Sequence, residues 1–224
     1  MVPSHPNPRY VRLGLAFAVL TLLLSLTACV TTIRQIDKAK DLQNNAKFEE
    51  LADLKISCTA DEEGCNQVHL LKGDACFRLA KQASDHNKKR ARLDCAVTEL
   101  SAGIDMTKDW SVAKLDRAQF YANDCEAARL RADFGERQRF EGILANRARQ
   151  FIAFAPDNPG AVYYNARAEF YTLTQAAQPC NGLRALGTRL AGAMQRFGND
   201  PHYSTALQSL KATVGVETHT RCRN

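Results

Sequence analysis

The chain lacks the short motifs by which common catalytic and cofactor sites are found in a sequence. It has no Gly-x-Ser-x-Gly nucleophile elbow, no His-Glu-x-x-His zinc motif, no glycine-rich phosphate loop and no Cys-x-x-Cys redox pair. The acidic triplet Asp61 to Glu63 is interpreted as a solvated turn between Cys58 and Cys65, with an acid/base cluster or a calcium site as the alternative. We therefore predict no catalytic residue, no resident metal and no cofactor, and the histidines outside the N-terminal segment are scattered: His69, His86, His202 and His219.

The chain also lacks any alternation of apolar and polar residues long enough to predict a β-strand. Its apolar residues recur three and four positions apart, which is the spacing of an amphipathic helix. Turn residues such as Asp85-His86-Asn87 and Gly198-Asn199-Asp200-Pro201 separate these stripes. The pattern predicts an all-α protein of about eight helices, with antiparallel neighbours stacked in order. Five stripes carry the prediction: Val68 to Ala83, Leu93 to Ile104, Val112 to Cys125, Phe140 to Ala155 and Tyr163 to Ala177.

No apolar run reaches the roughly 20 residues that a membrane-spanning helix needs. The longest candidate extends from Leu13 to Ala28, follows Arg9 and Arg12, and contains no acidic residue. A basic start, an apolar middle and small residues at the end are the three parts of an export signal, in the right order. The segment 1–28 is therefore predicted to be a signal peptide that is removed.

The sequence Leu26-Thr27-Ala28-Cys29 resembles the lipobox of bacterial lipoproteins. The resemblance implies that Cys29 is lipidated and that its acyl chains hold the mature protein in a lipid bilayer. Val30 stands where aspartate would retain an enteric lipoprotein at the inner membrane, so the expected location is the outer membrane, facing the periplasm. No Gly/Ser/Pro linker follows, and a first helix is predicted from Thr31 or Thr32, carrying Ile33, Ile36, Ala39, Leu42 and Ala46 on one side. The alternative is an ordinary signal peptide with an incidental cysteine.

The rest of the chain is long enough for one packed domain. We predict an anchor, a first helix and a cysteine-flanked turn over 29–65, a helical domain over 66–213, and a polar C-terminal tail over 214–224. The net charge of the chain is +6, and two of its cations leave with the signal. The remaining surplus is small and dispersed, so we predict no nucleic-acid partner. The arginine-rich stretch from Arg129 to Arg149 is interpreted as a solvated helix face, with contact to an anionic partner as the alternative.

The segment from Arg149 to Tyr171 resembles the junction between two tetratricopeptide repeats. Pro156 matches the proline that closes one repeat, and an aromatic, a small residue and an aromatic open the next: Tyr163, Ala166 and Phe170. Val68, Leu71, Gly73 and Ala75 repeat the spacing of Tyr163, Ala166, Ala168 and Phe170 as a degenerate copy. The resemblance implies a short solenoid of stacked helical pairs over about residues 66 to 201. An irregular helical bundle is the alternative.

Cysteine usage agrees with an oxidising compartment. With Cys29 lipidated, an odd number of the 8 cysteines remains, so at least one has no intramolecular partner. Cys125 lies on an apolar stripe and is predicted to be a buried free thiol. A metal site formed by Cys58, Cys65 and His69 is the alternative to a disulfide between these two cysteines, but the three residues lack the spacing of a zinc site. The favoured bridges are Cys58 to Cys65 across a turn, Cys76 to Cys95 at equal distances from the Asp85-His86 turn, and Cys180 to Cys222.

These patterns favour a non-enzymatic scaffold that binds another protein of the cell envelope. Tetratricopeptide lipoproteins serve as pilotins and as accessory subunits of secretion, pilus and barrel-assembly machines, and the resemblance extends that expectation to this chain. The alternative class is a cell-envelope enzyme or a regulator of a cell-wall hydrolase, and a third is a structural envelope protein with no groove. A catalytic carboxylate in a deep polar cleft would favour the enzyme, whereas a shallow aromatic and aliphatic groove would favour the scaffold.

Overall fold

A computed structural model describes residues 32–113 and 116–222 of the chain. The predicted signal peptide and Cys29 lie outside the described residues. Within those two ranges the regular structure is all helical, joined by turns and loops with no strand, which confirms the predicted all-α class. The helices are α1 (described over 32–44), α2 (Phe48–Ala52), α3 (Cys65–Gln82), α4 (His86–Met106), α5 (Trp110–Ala113), α6 (Arg117–Ala132), α7 (Arg137–Phe154), α8 (Pro159–Gln175), α9 (Cys180–Phe197) and α10 (Ser204–Arg221).

Side-chain caps determine where several of these helices begin. The Asp85 carboxylate accepts a hydrogen bond from the amide of Lys88 at 2.7 Å and starts α4. Asn158 accepts from the amides at the start of α8, where Pro159 occupies the first helical position. Such caps satisfy amides that have no partner within the helix, and proline has no amide to satisfy there.

The predicted stripe from Val112 to Cys125 is not one helix, because α5 ends at Ala113 and α6 begins at Arg117. The Asp116 carboxylate accepts a hydrogen bond from the amide of Gln119 at 3.1 Å and caps the new helix. Aspartate favours this position over a helix interior because its short side chain bonds to nearby amides. The apolar spacing was correct for α6, but the break before it was missed.

Two further boundaries differ from the prediction. In α1, Ala39 and Leu42 are buried as expected, whereas Ile33 is 52% exposed and Ala46 lies past the helix with a φ of 54°. At the other end of the chain, the predicted tail from residue 214 is not separate over 214–221. These residues continue α10, whose Val214 is buried.

From α3 onward, the long helices pack against one another in chain order. Contacts join α3 to α4, α4 to α6, α6 to α7, α7 to α8, α8 to α9 and α9 to α10. A second series joins α3 to α6, α6 to α8 and α8 to α10. Each long helix from α3 onward therefore packs on the next one along the chain, beginning with the pair α3/α4, and α10 packs on α8 and α9.

The first pair is held at close range by two glycines. A Cβ atom built on Gly73 would lie 2.8 Å from the backbone nitrogen of Leu100, and one on Gly103 would lie 2.9 Å from that of Leu70. Gly73 and Lys72 both lie at this contact between α3 and α4. The glycine provides the room for close approach, and the Lys72 ammonium pairs with the Glu99 carboxylate at 2.8 Å.

Buried apolar residues form two clusters. The larger extends from α1 through α8 and includes Leu51, Leu93, Leu100, Leu144 and Phe151. The smaller joins α8, α9 and α10, and comprises Ala166, Leu186, Leu190, Ala193, Leu207, Leu210 and Val214. Helix α8 lies where the two clusters meet, and the grooves described below open on either side of it.

Candidate functional site

Helix α8 presents three faces to three different surroundings. Its most buried face carries Ala161, Tyr164 and Ala168 and packs into the larger cluster. The residues of the other two faces are spaced by three and four positions, which is the spacing of a single helix face. One set lines a groove beside α7 and α9, and comprises Val162, Asn165, Ala166 and Glu169. The other lines a groove beside α10, and comprises Tyr163, Arg167, Phe170, Tyr171 and Thr174.

The α7/α9 groove has a volume of about 500 Å³ and is lined mainly by α8 and α9, with Ile152 of α7. Its walls are mostly aliphatic because α9 is strongly amphipathic and turns part of its apolar face toward the groove. A Cβ atom on Gly192 would meet no atom within 4 Å, so this wall is open at Gly192. The apolar lining residues are Ile152, Val162, Ala166, Leu186, Leu190, Ala193 and Phe197.

The charged residues at the rim of the α7/α9 groove are paired with one another. Arg189 donates to both carboxylate oxygens of Glu169 at 2.5 Å. Arg196 forms an ion pair with Asp157 in the turn before α8. The rim is therefore polar but close to neutral, and the interior offers apolar surface with little charge selectivity.

The α8/α10 groove, of about 490 Å³, has a different chemical character. Aromatic rings of α8 face hydroxyl-bearing and apolar residues of α10. The Arg137 guanidinium lies over the Tyr171 ring, 5.6 Å from its centroid. Burial raises the pKa of Tyr163, so its hydroxyl is neutral near pH 7. The remaining lining residues are Arg167, Phe170, Thr174, Ala206, Ser209, Leu210, Thr213 and Glu217.

A buried polar cluster joins α4, α6 and α7 beneath a third, smaller cleft of about 340 Å³. Asp124 is fully buried, accepts from Arg147 at 2.7 Å and accepts from the Ser101 hydroxyl at 3.0 and 3.2 Å. Burial raises the pKa of Asp124 to about 6, although Arg147 and Ser101 both favour its charged form. Arg147 also donates to Asp105 at 2.9 Å. These contacts occupy the Asp124 carboxylate from within the protein and tie three helices together.

The structure brings the predicted cysteines together in the same pairs. Disulfides join Cys58 to Cys65, Cys76 to Cys95 and Cys180 to Cys222, with Cα atoms 5.7, 5.9 and 5.6 Å apart respectively. Cys125 is unpaired and fully buried, and burial raises its thiol pKa well above the ordinary value.

The residues of the alternative metal site are engaged in other contacts. The sulfur atoms of Cys58 and Cys65 are joined to each other, and His69 Nδ1 lies 2.6 Å from a Glu99 carboxylate oxygen. Across the described ranges, no group of three or more histidine, cysteine or acidic side chains could hold a metal ion. The acidic triplet forms local hydrogen bonds, since Thr59 Oγ1 donates to Asp61 at 2.7 Å and to Glu62 at 3.0 Å.

Sequence reasoning missed an aromatic cluster at the start of α6 and did not assign the two groove faces of α8. The rings of Trp110 and Tyr121 have centroids 6.0 Å apart. The Arg117 guanidinium lies 3.8 Å from the Phe154 ring centroid beside them. Arg117, which lies next to an aromatic helix face, was the sequence feature that could have indicated this cluster. For the grooves, the signal was the row of aromatic residues in α8, which helical spacing alone assigns to packing.

Comparisons with protein-family models, curated proteins and solved structures found no match to the chain. None of the helices in the described part of the chain is both long enough and apolar enough to cross a membrane.

Proposed function

We propose that this protein is a lipid-anchored scaffold of the outer membrane, facing the periplasm, that binds another envelope protein through a stack of tetratricopeptide-like helical pairs. The observation that carries the binding role is the α7/α9 groove, an open, mainly aliphatic surface between helices. Grooves of this kind bind the apolar face of an amphipathic partner helix, whose anchors recur at three and four positions. The paired rim charges leave apolar contact as the main source of affinity.

The order of helix contacts supports the tetratricopeptide-like part of the proposal. In a helical repeat array each element contacts its neighbours, and equivalent helices of successive pairs form a row. Helices α3, α6, α8 and α10 form such a row. The Pro156 turn, which carries the sequence resemblance, lies between α7 and α8 as a junction between two repeats requires.

An envelope enzyme is the alternative from another class, and the α4/α7 cleft is where it would be sought. That cleft is lined by Ser101, Asp105 and Arg147 among others. The carboxylate with the most perturbed environment, Asp124, is fully buried below it and is already bonded to Arg147 and Ser101. This arrangement gives the enzyme less support than the aliphatic groove gives the scaffold.

In-cell cross-linking tests the groove directly. A photo-reactive amino acid replaces Gln195, which is exposed and lines the α7/α9 groove. The same cross-linker is then combined with Gly192→Leu, which fills the groove, or with Gly142→Leu as the matched control. Both glycines are helical, and a Cβ atom added at either one meets no atom within 4 Å, so we expect both variants to keep the fold.

We expect a discrete cross-linked partner in the parent and in the Gly142→Leu variant, and loss of most of that product in Gly192→Leu. A product that persists unchanged in Gly192→Leu would show that the groove is not the binding surface. If position 195 gave no cross-linked product in any of the three backgrounds, the proposed function of this groove would be overturned.

A further inference from the structure

The α8/α10 groove carries one more positive charge than its own carboxylates balance. Glu141, whose side chain is 1% exposed, accepts from Arg167 at 2.8 Å and lies 3.9 Å from Arg137. The single negative charge of Glu141 thus lies beside two positively charged guanidinium groups. Glu217, the acid that lines the groove, pairs with Arg221 of its own helix. The excess charge is located at Arg137, the arginine that is farther from the shared carboxylate.

Arg137 is held in an orientation suited to an incoming anion. Its side chain is 66% exposed, and its guanidinium lies over the Tyr171 ring. The ring contact is electrostatic and uses none of the guanidinium N–H groups as hydrogen-bond donors, and Nε lies 3.9 Å from the Glu141 carboxylate, beyond hydrogen-bond distance. A carboxylate matches these N–H groups because its two oxygens accept two parallel N–H bonds. The contact with the ring also reduces the side-chain entropy lost on binding.

The remainder of the groove suits a short extended segment. Its lining on α8 reaches from Tyr163 to Thr174, which at 1.5 Å per residue corresponds to about 16 Å. An extended chain covers that length with about five residues. Rings of Tyr163 and Phe170 provide apolar contact. The Thr174 and Thr213 hydroxyls already donate to backbone carbonyls of their own helices, so they can only accept from N–H groups of an extended segment, whereas the Ser209 hydroxyl can donate or accept.

We propose that the α8/α10 groove binds an extended segment of about five residues from a partner protein, with a carboxylate of that segment bound by Arg137. This second site uses a different face of α8 from the α7/α9 groove. The inference therefore stands whether or not the first groove binds a helix.

Selection from a peptide library tests the site without knowledge of the natural partner. The purified full chain is presented with an mRNA-displayed library of randomised linear peptides, in parallel with Arg137→Glu and Arg139→Glu. The two arginines form a matched pair, since both lie in the first turn of α7 and both are 66% exposed. Arg137 lines the groove and Arg139 does not. Arg139 pairs instead with Glu136.

We expect peptides selected on the parent chain and on Arg139→Glu to combine aspartate or glutamate with apolar residues. On Arg137→Glu the acidic preference should disappear. The same acidic preference on Arg137→Glu, or no enriched peptide on the parent chain, would overturn the inference. Circular dichroism of each variant checks that the helical fold is retained.

Fluorescence anisotropy with a selected peptide then measures the contact itself. Arg137→Ala should weaken binding at least about tenfold, since it removes a charge-assisted hydrogen-bond pair, whereas Arg139→Ala should change it by less than about twofold. Peptides with the acidic side chain changed to its amide, or with an amidated C-terminus, identify which carboxylate is bound. Equal loss in both arginine variants would indicate general electrostatic attraction and contradict a specific site. Gly192→Leu should leave this affinity unchanged, which separates this site from the α7/α9 groove.

Discussion

Arg147 Nε donates to Asp124 Oδ2 at 2.7 Å in a place where the two side chains are only 4% and 0% exposed. The same guanidinium reaches Asp105 on α4 and the backbone carbonyl of Ser101, so one arginine of α7 bonds to both α4 and α6. Burial of a charge pair is costly unless its remaining hydrogen bonds are satisfied. The Ser101 hydroxyl and the Gln150 side chain provide further bonds to this pair.

The pH dependence of stability should reveal Asp124. Burial raises its pKa to about 6 in the folded protein, against an ordinary value of 3.8. As the pH falls from 7 to 5, the folded state therefore takes up a proton that the unfolded chain does not yet bind. The free energy of unfolding should consequently rise, by about 1 kcal/mol over this interval. Urea denaturation at the two pH values measures it.

The variant Asp124→Asn is the control for this effect, because its amide does not titrate. Its stability should lack the increase between pH 7 and pH 5 that the parent shows. Glu99 has a lowered pKa, as its bonds to His69 and Lys72 outweigh burial, and its contribution is lost only below its ordinary pKa of 4.5. It therefore does not obscure the measurement. An unchanged pH profile in Asp124→Asn would contradict the assignment to this carboxylate.

The close approach of α3 and α4 should make Gly73 intolerant of any side chain. A Cβ atom there would lie 2.7 Å from Leu100 Cγ and 2.8 Å from its backbone nitrogen, so the helices must separate. We expect Gly73→Ala to lower the free energy of unfolding by about 1 to 3 kcal/mol. Gly142→Ala is the matched control, since its Cβ meets no atom and alanine favours helix by up to about 1 kcal/mol. Equal stability of the two variants in urea would contradict the proposed helix spacing.

The helices were predictable because apolar spacing and turn residues act locally. The Asp85 turn and the Pro156 turn separate helices as the sequence indicated, since their residues cap or interrupt helices by their own chemistry. The role of Gly73 was not predictable in this way. In sequence a helical glycine is only a missing side chain, and its effect on packing depends on Leu100, which lies far along the chain.

The groove faces of α8 were hidden for a similar reason. The tetratricopeptide resemblance assigned Tyr163, Ala166 and Phe170 to one packing set. In the structure Ala166 is buried, whereas Tyr163 and Phe170 line the edge of the α8/α10 groove. Helical periodicity gives the direction of a side chain but not how far the next helix lies from it. The placement of α10 therefore had to come from the three-dimensional structure.

Disulfide mapping should find three bridges and one inert thiol. The hairpin argument for Cys76 and Cys95 depends only on equal rise per residue on both sides of a turn, and their Cα atoms are 5.9 Å apart. Cys125 should resist alkylation in the folded protein because it is buried and its pKa is raised. Non-reducing peptide mapping, with alkylation before and after denaturation, measures both features. A disulfide that contains Cys125 would show the predicted pairing to be wrong.

The Cys76 to Cys95 bridge should also contribute to stability. It closes a loop with a sequence separation of 19 residues, for which loss of unfolded-state entropy corresponds to about 3 kcal/mol. We expect the double variant Cys76→Ser/Cys95→Ser to unfold at lower urea concentration than the parent. The control Cys125→Ala removes a thiol without removing a bridge. If the double variant were no less stable than this control, the bridge would not contribute to the folded state as proposed.

Removal of Cys29 should abolish the membrane anchor. The lipobox resemblance implies that its thiol accepts the diacylglyceryl group and that acylation precedes cleavage after Ala28. The variant Cys29→Ala should therefore accumulate as an unlabelled precursor when cells are fed an alkyne fatty acid, and should be missing from the outer-membrane fraction. Cys125→Ala retains Cys29 and should keep both label and location, while Val30→Asp should keep the label but move the protein to the inner membrane of an enteric host. Fatty-acid label that remains on Cys29→Ala would refute the anchor assignment, because no other cysteine follows a signal-like apolar run.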